Sequence, residues 1–235
     1  MFTYDEIFKN YTELLDFLRK DSYRSTFEEI SKTVVRREQA TGGGTMHRGF
    51  YCPSIVEDII IGNVNRGRII KRLVKQPITY TYGFDGSDRL VTVIKHTETG
   101  DVYEYIIYAD NIQYGVVYGQ KFNEEWLENF SKCCYDGKRL KSYDRYVYDH
   151  FSDALYEYFG EIYNYGEDRL EMEQRYCLNS PPEVVAYLQN RKFKLENPYL
   201  QNKLYKFKAD NGFLTEYTSY TGNVYQIKKK RKISE

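Results

Sequence analysis

Ile78-Thr79-Tyr80-Thr81-Tyr82-Gly83-Phe84, followed by Asp85-Gly86-Ser87-Asp88-Arg89 and then Leu90-Val91-Thr92-Val93-Ile94, is the stretch that decides the fold. Ile78, Tyr80, Tyr82 and Phe84 alternate with smaller or polar residues, which is the period of a half-buried strand. The Asp/Gly/Ser cluster supplies a turn, and the β-branched run after it reads as the returning strand. Thr99-Gly100-Asp101 turns the chain again into Val102-Tyr103-Glu104-Tyr105-Ile106-Ile107-Tyr108, completing a three-strand meander, with residues 112–119 as a candidate fourth strand. Residues 204–208, 213–220 and 224–230 read as further strands. There Leu214 with Thr221-Gly222-Asn223-Val224-Tyr225 echoes Leu90 with Thr99-Gly100-Asp101-Val102-Tyr103. One hairpin design is used twice, without the fixed period of a solenoid or propeller.

Outside the meander the apolar spacing becomes helical. Thr3-x-x-Glu6 is a capping box, and Tyr4, Ile7, Phe8, Tyr11, Leu14, Leu15 and Leu18 predict a helix over 4–20. A shorter pattern follows Ser25-x-x-Glu28, with Phe27, Ile30 and Val34 on one face ahead of the Thr41-Gly42-Gly43-Gly44-Thr45 loop. Ser54-x-x-Glu57 either caps a further turn or two through Ile61 or, given the β-branched content, precedes a strand. Trp126, Leu127, Phe130 and Cys134 fit one face of a helix capped by Asn123. Tyr143, Tyr146, Val147, Phe151, Ala154, Leu155, Tyr158, Phe159 and Ile162 hold helical register from a cap at Ser142. Ser180-Pro181-Pro182-Glu183 combines a cap, proline in the first turn and Glu at the capping-box position, and predicts a helix ending near Asn190. The expected fold is α+β, an antiparallel meander of hairpins with helices packed on one side. It forms a single domain over 1–235, or divides into 1–120 and 121–235.

Composition excludes several functions. The chain of 235 residues carries 34 Lys+Arg and 34 Asp+Glu, so no net field marks it as a whole for nucleic acid or membrane. Its longest aliphatic run, Ile59-Ile60-Ile61, is far short of the ~20 apolar residues that span a bilayer. Met1-Phe2-Thr3-Tyr4-Asp5-Glu6 places acids where a signal peptide would be basic, so export by that route is not expected. Cys52, Cys133, Cys134 and Cys177 form no C-x-x-C pair and accompany only His47, His96 and His150. They read as reduced cysteines of a cytoplasmic protein, with no metal and no cofactor expected. The unusual figures are 26 tyrosines and 13 phenylalanines beside a single Trp. Tyr joins a large apolar body to a polar tip, which suits half-buried sheet faces and binding surfaces equally.

Tyr82-Gly83-Phe84-Asp85-Gly86-Ser87-Asp88-Arg89-Leu90 resembles the tyrosine-aspartate (YD) repeat of RHS-type proteins. Tyr163-Asn164-Tyr165-Gly166-Glu167-Asp168-Arg169-Leu170 and the stretch from Tyr205 to Leu214 are looser echoes. Without close tandem copies the resemblance does not imply the family's large β-shell. It implies an aromatic strand, an Asp/Gly turn and an Arg-Leu strand start, in a structural or carbohydrate-contacting module. The whole, a cytosolic α+β chain with a tyrosine-rich meander and no catalytic motif, is similar in type to the immunity proteins with which bacteria neutralise polymorphic toxins. That likeness implies a non-catalytic binding protein that occludes a toxin's working surface.

Chemical motifs are sparse. Gly42-Gly43-Gly44-Thr45-Met46-His47-Arg48-Gly49 has glycines but lacks the lysine of a P-loop, and Phe50-Tyr51-Cys52-Pro53 after it is not helical as a dinucleotide site requires. His47, Arg48 and Cys52 are the one place where a base, a cation and a nucleophile fall close in sequence, and they define the alternative reading of an enzyme of unrecognised type beside this loop. The sharper feature is electrostatic. Asp149, Asp153, Glu157 and Glu161 recur every four residues, which on a helix would stack like charges at about 0.2–0.5 kcal/mol a pair. From Asp149 to Glu173 there are eight acids and one base, Arg169, a formal −7. These four carboxylates are the candidate partner-binding residues, steering a basic toxin domain. Residues 176–235 carry a formal +6, including Lys228-Lys229-Lys230-Arg231-Lys232, and so could neutralise the acids from within. The lysine run reads as a solubilising strand end, and neither a membrane nor a nucleic-acid partner is expected.

Overall fold

The computed structural model describes residues 2–61, 66–72, 75–122, 124–150, 152–191 and 196–232. Strand accounts for 52% of the chain and helix for 19%, so the protein is mostly antiparallel β-sheet with a few helices. It divides into two compact units, one of Lys20–Glu128 and one joining Met1–Arg19 to Asn129–Glu235. Helix α1 (Tyr4–Leu18) therefore belongs with the C-terminal half, whereas a cut at residue 120 would leave it with the meander.

Unit Lys20–Glu128 begins with α2 (Tyr23–Ser31) and β1 (Arg36–Thr41). A short 3-10 turn (Gly49–Tyr51) and a π-type turn (Val56–Ile61) precede β2 (Arg68–Ile69). The meander follows as β3 (Tyr80–Phe84), β4 (Leu90–Thr97), β5 (Gly100–Ala109) and β6 (Ile112–Lys121), in sheet order β2-β1-β3-β4-β5-β6. Helix α2 starts three residues earlier than its sequence signal, because Ser22 rather than Ser25 is the cap: its Oγ accepts the Ser25 amide at 3.1 Å. Phe27 of α2 packs edge-on against Tyr103 at 5.3 Å and Tyr118 at 6.1 Å, covering one face of β5 and β6. On the opposite face Tyr80, Tyr82 and Phe84 form the core with Ala40, Val93 and Ile106, as the alternation requires, while Ile78 lies outside the strand and is exposed.

The β3–β4 turn is organised by Asp85. Its Oδ1 accepts the amides of Ser87 at 2.9 Å and Arg89 at 3.0 Å, and its Oδ2 takes the Arg89 Nε at 2.9 Å. Burial alone would push this carboxyl up, but those bonds outweigh it and hold it below the usual carboxylate range. The other two stretches quoted for the YD resemblance also fall on hairpins, at the turns after Tyr165 and after Asp210.

In the second unit the expected middle helices are strands. Residues 123–134 and 142–162 are covered by β7 (Glu124–Asp136), which crosses the unit boundary, β8 (Arg139–Asp149) and β9 (Ala154–Tyr165), with Asn123 and Phe151 outside the described residues. They are followed by β10 (Arg169–Leu178), α3 (Pro182–Asn190), β11 (Tyr199–Asp210), β12 (Phe213–Thr218) and β13 (Val224–Lys232), each strand antiparallel to the next. Two effects produced the helix-like spacing. A step of four residues satisfies a period of two as well as one of 3.6. A bulge then adds one residue, since Val147 pairs with Glu157 but Tyr148 with Leu155, so the buried Leu155 and Tyr158 stand three apart as on a helix.

The capping box of α1 is present as predicted, Thr3 Oγ1 accepting from Glu6 N at 3.3 Å and Glu6 Oε2 from Thr3 N at 3.1 Å. From α1, Tyr11 stacks on Phe130 at 5.7 Å and meets Tyr146 at 6.2 Å. Tyr158 continues this cluster, 5.0 Å from Tyr146, and reaches across to Asp144, to which its hydroxyl donates at 2.7 Å. Gly160 makes that reach feasible, for a Cβ there would stand 2.0 Å from the Tyr158 hydroxyl.

Replacing Asp85 by Ala is expected to lower stability by about 1–3 kcal/mol, since it strands donors in a tight turn. Asp85→Asn, which keeps an acceptor, should cost less. Urea unfolding followed by the single Trp126 checks both, and equal midpoints for wild type and Ala variant would show that the turn does not need the carboxylate.

Candidate functional site

The glycine-rich loop predicted to carry His47, Arg48 and Cys52 is stapled onto the tyrosine face of β3. Tyr82 Oη donates to the Arg48 carbonyl at 3.0 Å and accepts the Phe50 amide at 3.0 Å, and Tyr80 Oη donates to the Met46 carbonyl at 2.8 Å. Arg48 is left-handed, with φ 57° and ψ 11°, a conformation that costs a non-glycine residue about 1–3 kcal/mol. The two tyrosine hydroxyls hold it there. Gly49 follows at φ 51°, and a Cβ on it would lie 2.4 Å from the Tyr80 ring, so only glycine lets the loop come this close.

That bend turns the Arg48 side chain inward onto Glu104, in the middle of β5. Glu104 Oε1 accepts from Arg48 Nε and Nη2, both at 2.7 Å, and lies 3.3 Å from His47 Nε2. All three are buried, with 9% of His47, 4% of Arg48 and 4% of Glu104 exposed. Burial by itself would raise the Glu104 carboxyl, but the Arg48 guanidinium and His47 outweigh it and hold it at about 2. A second carboxylate braces the same loop. Glu57 Oε2 accepts the His47 amide at 2.8 Å, while the Glu57 amide is capped by Ser54 Oγ at 2.9 Å, so the predicted Ser54-x-x-Glu57 cap is present and starts the π-type turn. Cys52 Sγ donates to the Ser54 carbonyl at 3.7 Å and to Glu57 at 3.8 Å. Asp58, fully buried, pairs with Arg66.

His47, Arg48 and Cys52 therefore do converge, with Glu104 facing His47 and Arg48 and Glu57 facing the His47 amide and the Cys52 thiol. The geometry makes a structural clamp. Glu104 was not a sequence candidate, although a signal for it existed: it shares the inward parity of the buried Ile106, and a lone acid in such a row must find a cation. Glu57 was singled out only as a cap, and the hydroxyls of Tyr80 and Tyr82 were hidden by their value as apolar bodies.

The four acidic candidates do not share a helix face. Asp149 ends β8 and accepts from Ser152 Oγ at 2.6 Å. Asp153 lies in the β8–β9 turn at φ 51°, exposed, where it meets Tyr148 Oη and, at 3.2 Å, Arg19. Glu157 is half-buried on β9 and accepts from Tyr176 Oη at 2.7 Å, and Glu161 is buried at 3% exposure with Tyr163 Oη on it. The like-charge stacking of a helix does not arise, because tyrosine hydroxyls take up the strand carboxylates. Among the described residues no group of three or more His, Cys, Asp or Glu is placed to hold a metal ion, and no helix is long and apolar enough to cross a membrane.

Glu104→Gln is expected to cost about 3–5 kcal/mol, because it leaves the Arg48 charge buried without its counter-charge. The pH dependence follows from the depressed carboxyl. Its contribution is complete above the ordinary value of 4.5 and is lost as pH falls towards about 2. Urea midpoints between neutral pH and about pH 3 should fall less steeply in Glu104→Gln than in wild type, and parallel curves would remove the pair from the acid response. Comparison of the chain with protein-family models, with curated protein sequences and with solved structures returned no match, so the reading of this cluster rests on its own geometry.

Proposed function

We propose that this chain is a non-catalytic binding protein of the immunity type, which neutralises a basic partner, such as a toxin domain, by covering its working surface. The observation that carries the reading is an acidic surface within one unit. Asp5, Glu6, Glu13 and Asp16 are exposed on α1 around a single cation, Lys9, which pairs with Glu13 at 3.9 Å, and Arg19 after that helix bridges to Asp153 in the β8–β9 turn, near Asp149. Phe17, 56% exposed at the same end of α1, offers an aromatic anchor beside the carboxylates. Interfaces concentrate their energy in such anchors and use a charged rim for steering and partner choice. Of the four acids read from the sequence, Asp149 and Asp153 stay with this proposal because they lie at the β8–β9 turn that Arg19 ties to α1, and Glu157 and Glu161, which lie further along β9, half-buried and buried, leave it.

The inward-turned clamp around Glu104 supports a binding role over an enzymatic one, since its charges are spent on each other. A cytoplasmic location accords with the reading, and all four cysteines are free thiols.

Tagged protein used as bait in its native cells should retain a basic partner in stoichiometric amount, released as salt rises. Against that partner, Asp149→Asn with Asp153→Asn is expected to slow association by about tenfold at low ionic strength and to flatten its salt dependence. Asn keeps the left-handed turn at 153. Stopped-flow or surface-based kinetics checks this, and an unchanged on-rate would move the interface elsewhere.

A further inference from the structure

We propose that the C-terminal hairpins, β11 to β13, carry a binding surface for single-stranded nucleic acid. The inference is independent of the acidic surface and uses a different part of the same unit. Phe207, Tyr217 and Tyr225 stand side by side on the three successive strands, each a direct cross-strand partner of the next, and Tyr205 lies diagonal to Tyr217 two residues along β11. Ring centroids are 6.4 Å apart between Tyr205 and Tyr217 and 5.0 Å between Tyr217 and Tyr225, with the latter planes within 16° of parallel. Tyr220 meets Tyr205 edge-on at 6.0 Å, and Lys203 Nζ sits 4.8 Å over the Tyr220 ring. Phe207 and Tyr205 on β11 are buried, at 1% and 4% exposure, whereas Tyr225 on β13 is 44% exposed and Tyr220, in the turn before it, 54%. The inner rings thus fix the outer ones, which are presented to solvent.

Charge selects the class of ligand. From Tyr199 to Lys232 there are eight Lys and Arg residues against Asp210 and Glu216, and Glu216 is already paired with Lys208 at 2.7 Å. Five of the eight form the run Lys228-Lys229-Lys230-Arg231-Lys232 on β13, the last strand in the sheet order. Aromatic faces on lysine-rich strands suit a chain of phosphates whose bases are free to stack. A neutral glycan would use the rings but gain nothing from the charge. A duplex would use the charge but keeps its base faces inside. Charge alone gave no reason to expect a nucleic-acid partner. The register that sets Tyr217 opposite Tyr225, on strands whose sequence is rich in lysine, supplies the second half of the argument.

The test is fluorescence anisotropy of the intact chain with a labelled oligothymidylate of about 15 nucleotides, over about 50–200 mM salt. Binding that weakens as salt rises is expected, with preference over a duplex of equal length and over heparin. Tyr220→Ala with Tyr225→Ala should weaken it by about tenfold or more, whereas Tyr220→Phe with Tyr225→Phe, which keeps the rings, should retain it. Both residues are exposed, and matched thermal melts establish that each variant is folded. The proposal is overturned by absence of binding at the lowest salt, by equal affinity for heparin or duplex, or by Ala variants that bind as wild type. Capture of a neutral oligosaccharide in place of the oligonucleotide overturns it too, and assigns the rings to glycan.

Discussion

The backbone of a meander can be satisfied only by the next strand of the chain, and that constraint runs through both units. Each strand of the interior needs a partner on either side, so neither edge is available and both faces must be furnished from one sequence. Tyrosine meets this demand. Its ring fills a face, and its hydroxyl disposes of a polar group that the same face brings in. Tyr158 on Asp144, Tyr176 on Glu157, and Tyr80 and Tyr82 on loop carbonyls are four cases of one solution. The abundance of this residue reflects the architecture first.

The Arg48–Glu104 pair shows how a loop is made part of that architecture. A buried guanidinium and carboxylate are worth little net against well-packed apolar residues, but removing either partner is costly. Here the pair sets a geometry. The left-handed bend at Arg48 can persist because its carbonyl, its side chain and the amide two residues on are each engaged by a strand residue. The loop is thereby fastened to β3 and β5 at once.

Charge is distributed unevenly around a net of zero. The unit that contains α1 carries carboxylates on the helix and at the β8–β9 turn, and lysines in the sequences of β11 and β13.

Local chemistry was legible wherever one short-range rule sufficed. The Thr3 capping box, the alternation of Tyr80, Tyr82 and Phe84, the Asp85 turn and the Ser54 cap all depend on residues within a few positions of each other. The stretch from Asn123 to Ile162 was not legible, because a four-residue step fits both periods and a bulge at residues 147–148 mimicked a helical one. The acidic series shared that fate, its helix face dissolving into a strand end, a turn and two tyrosine-held carboxylates. The sequence by itself determined that the β3–β4–β5 and β11–β12–β13 hairpins form and where they turn, and it marked His47 and Arg48 as neighbours of interest. That Glu104, more than fifty positions away, would meet them, and that Tyr217 would face Tyr225, was decided only by tertiary structure. Burial of a charge and alignment of rings are set by strand register, which no single segment encodes.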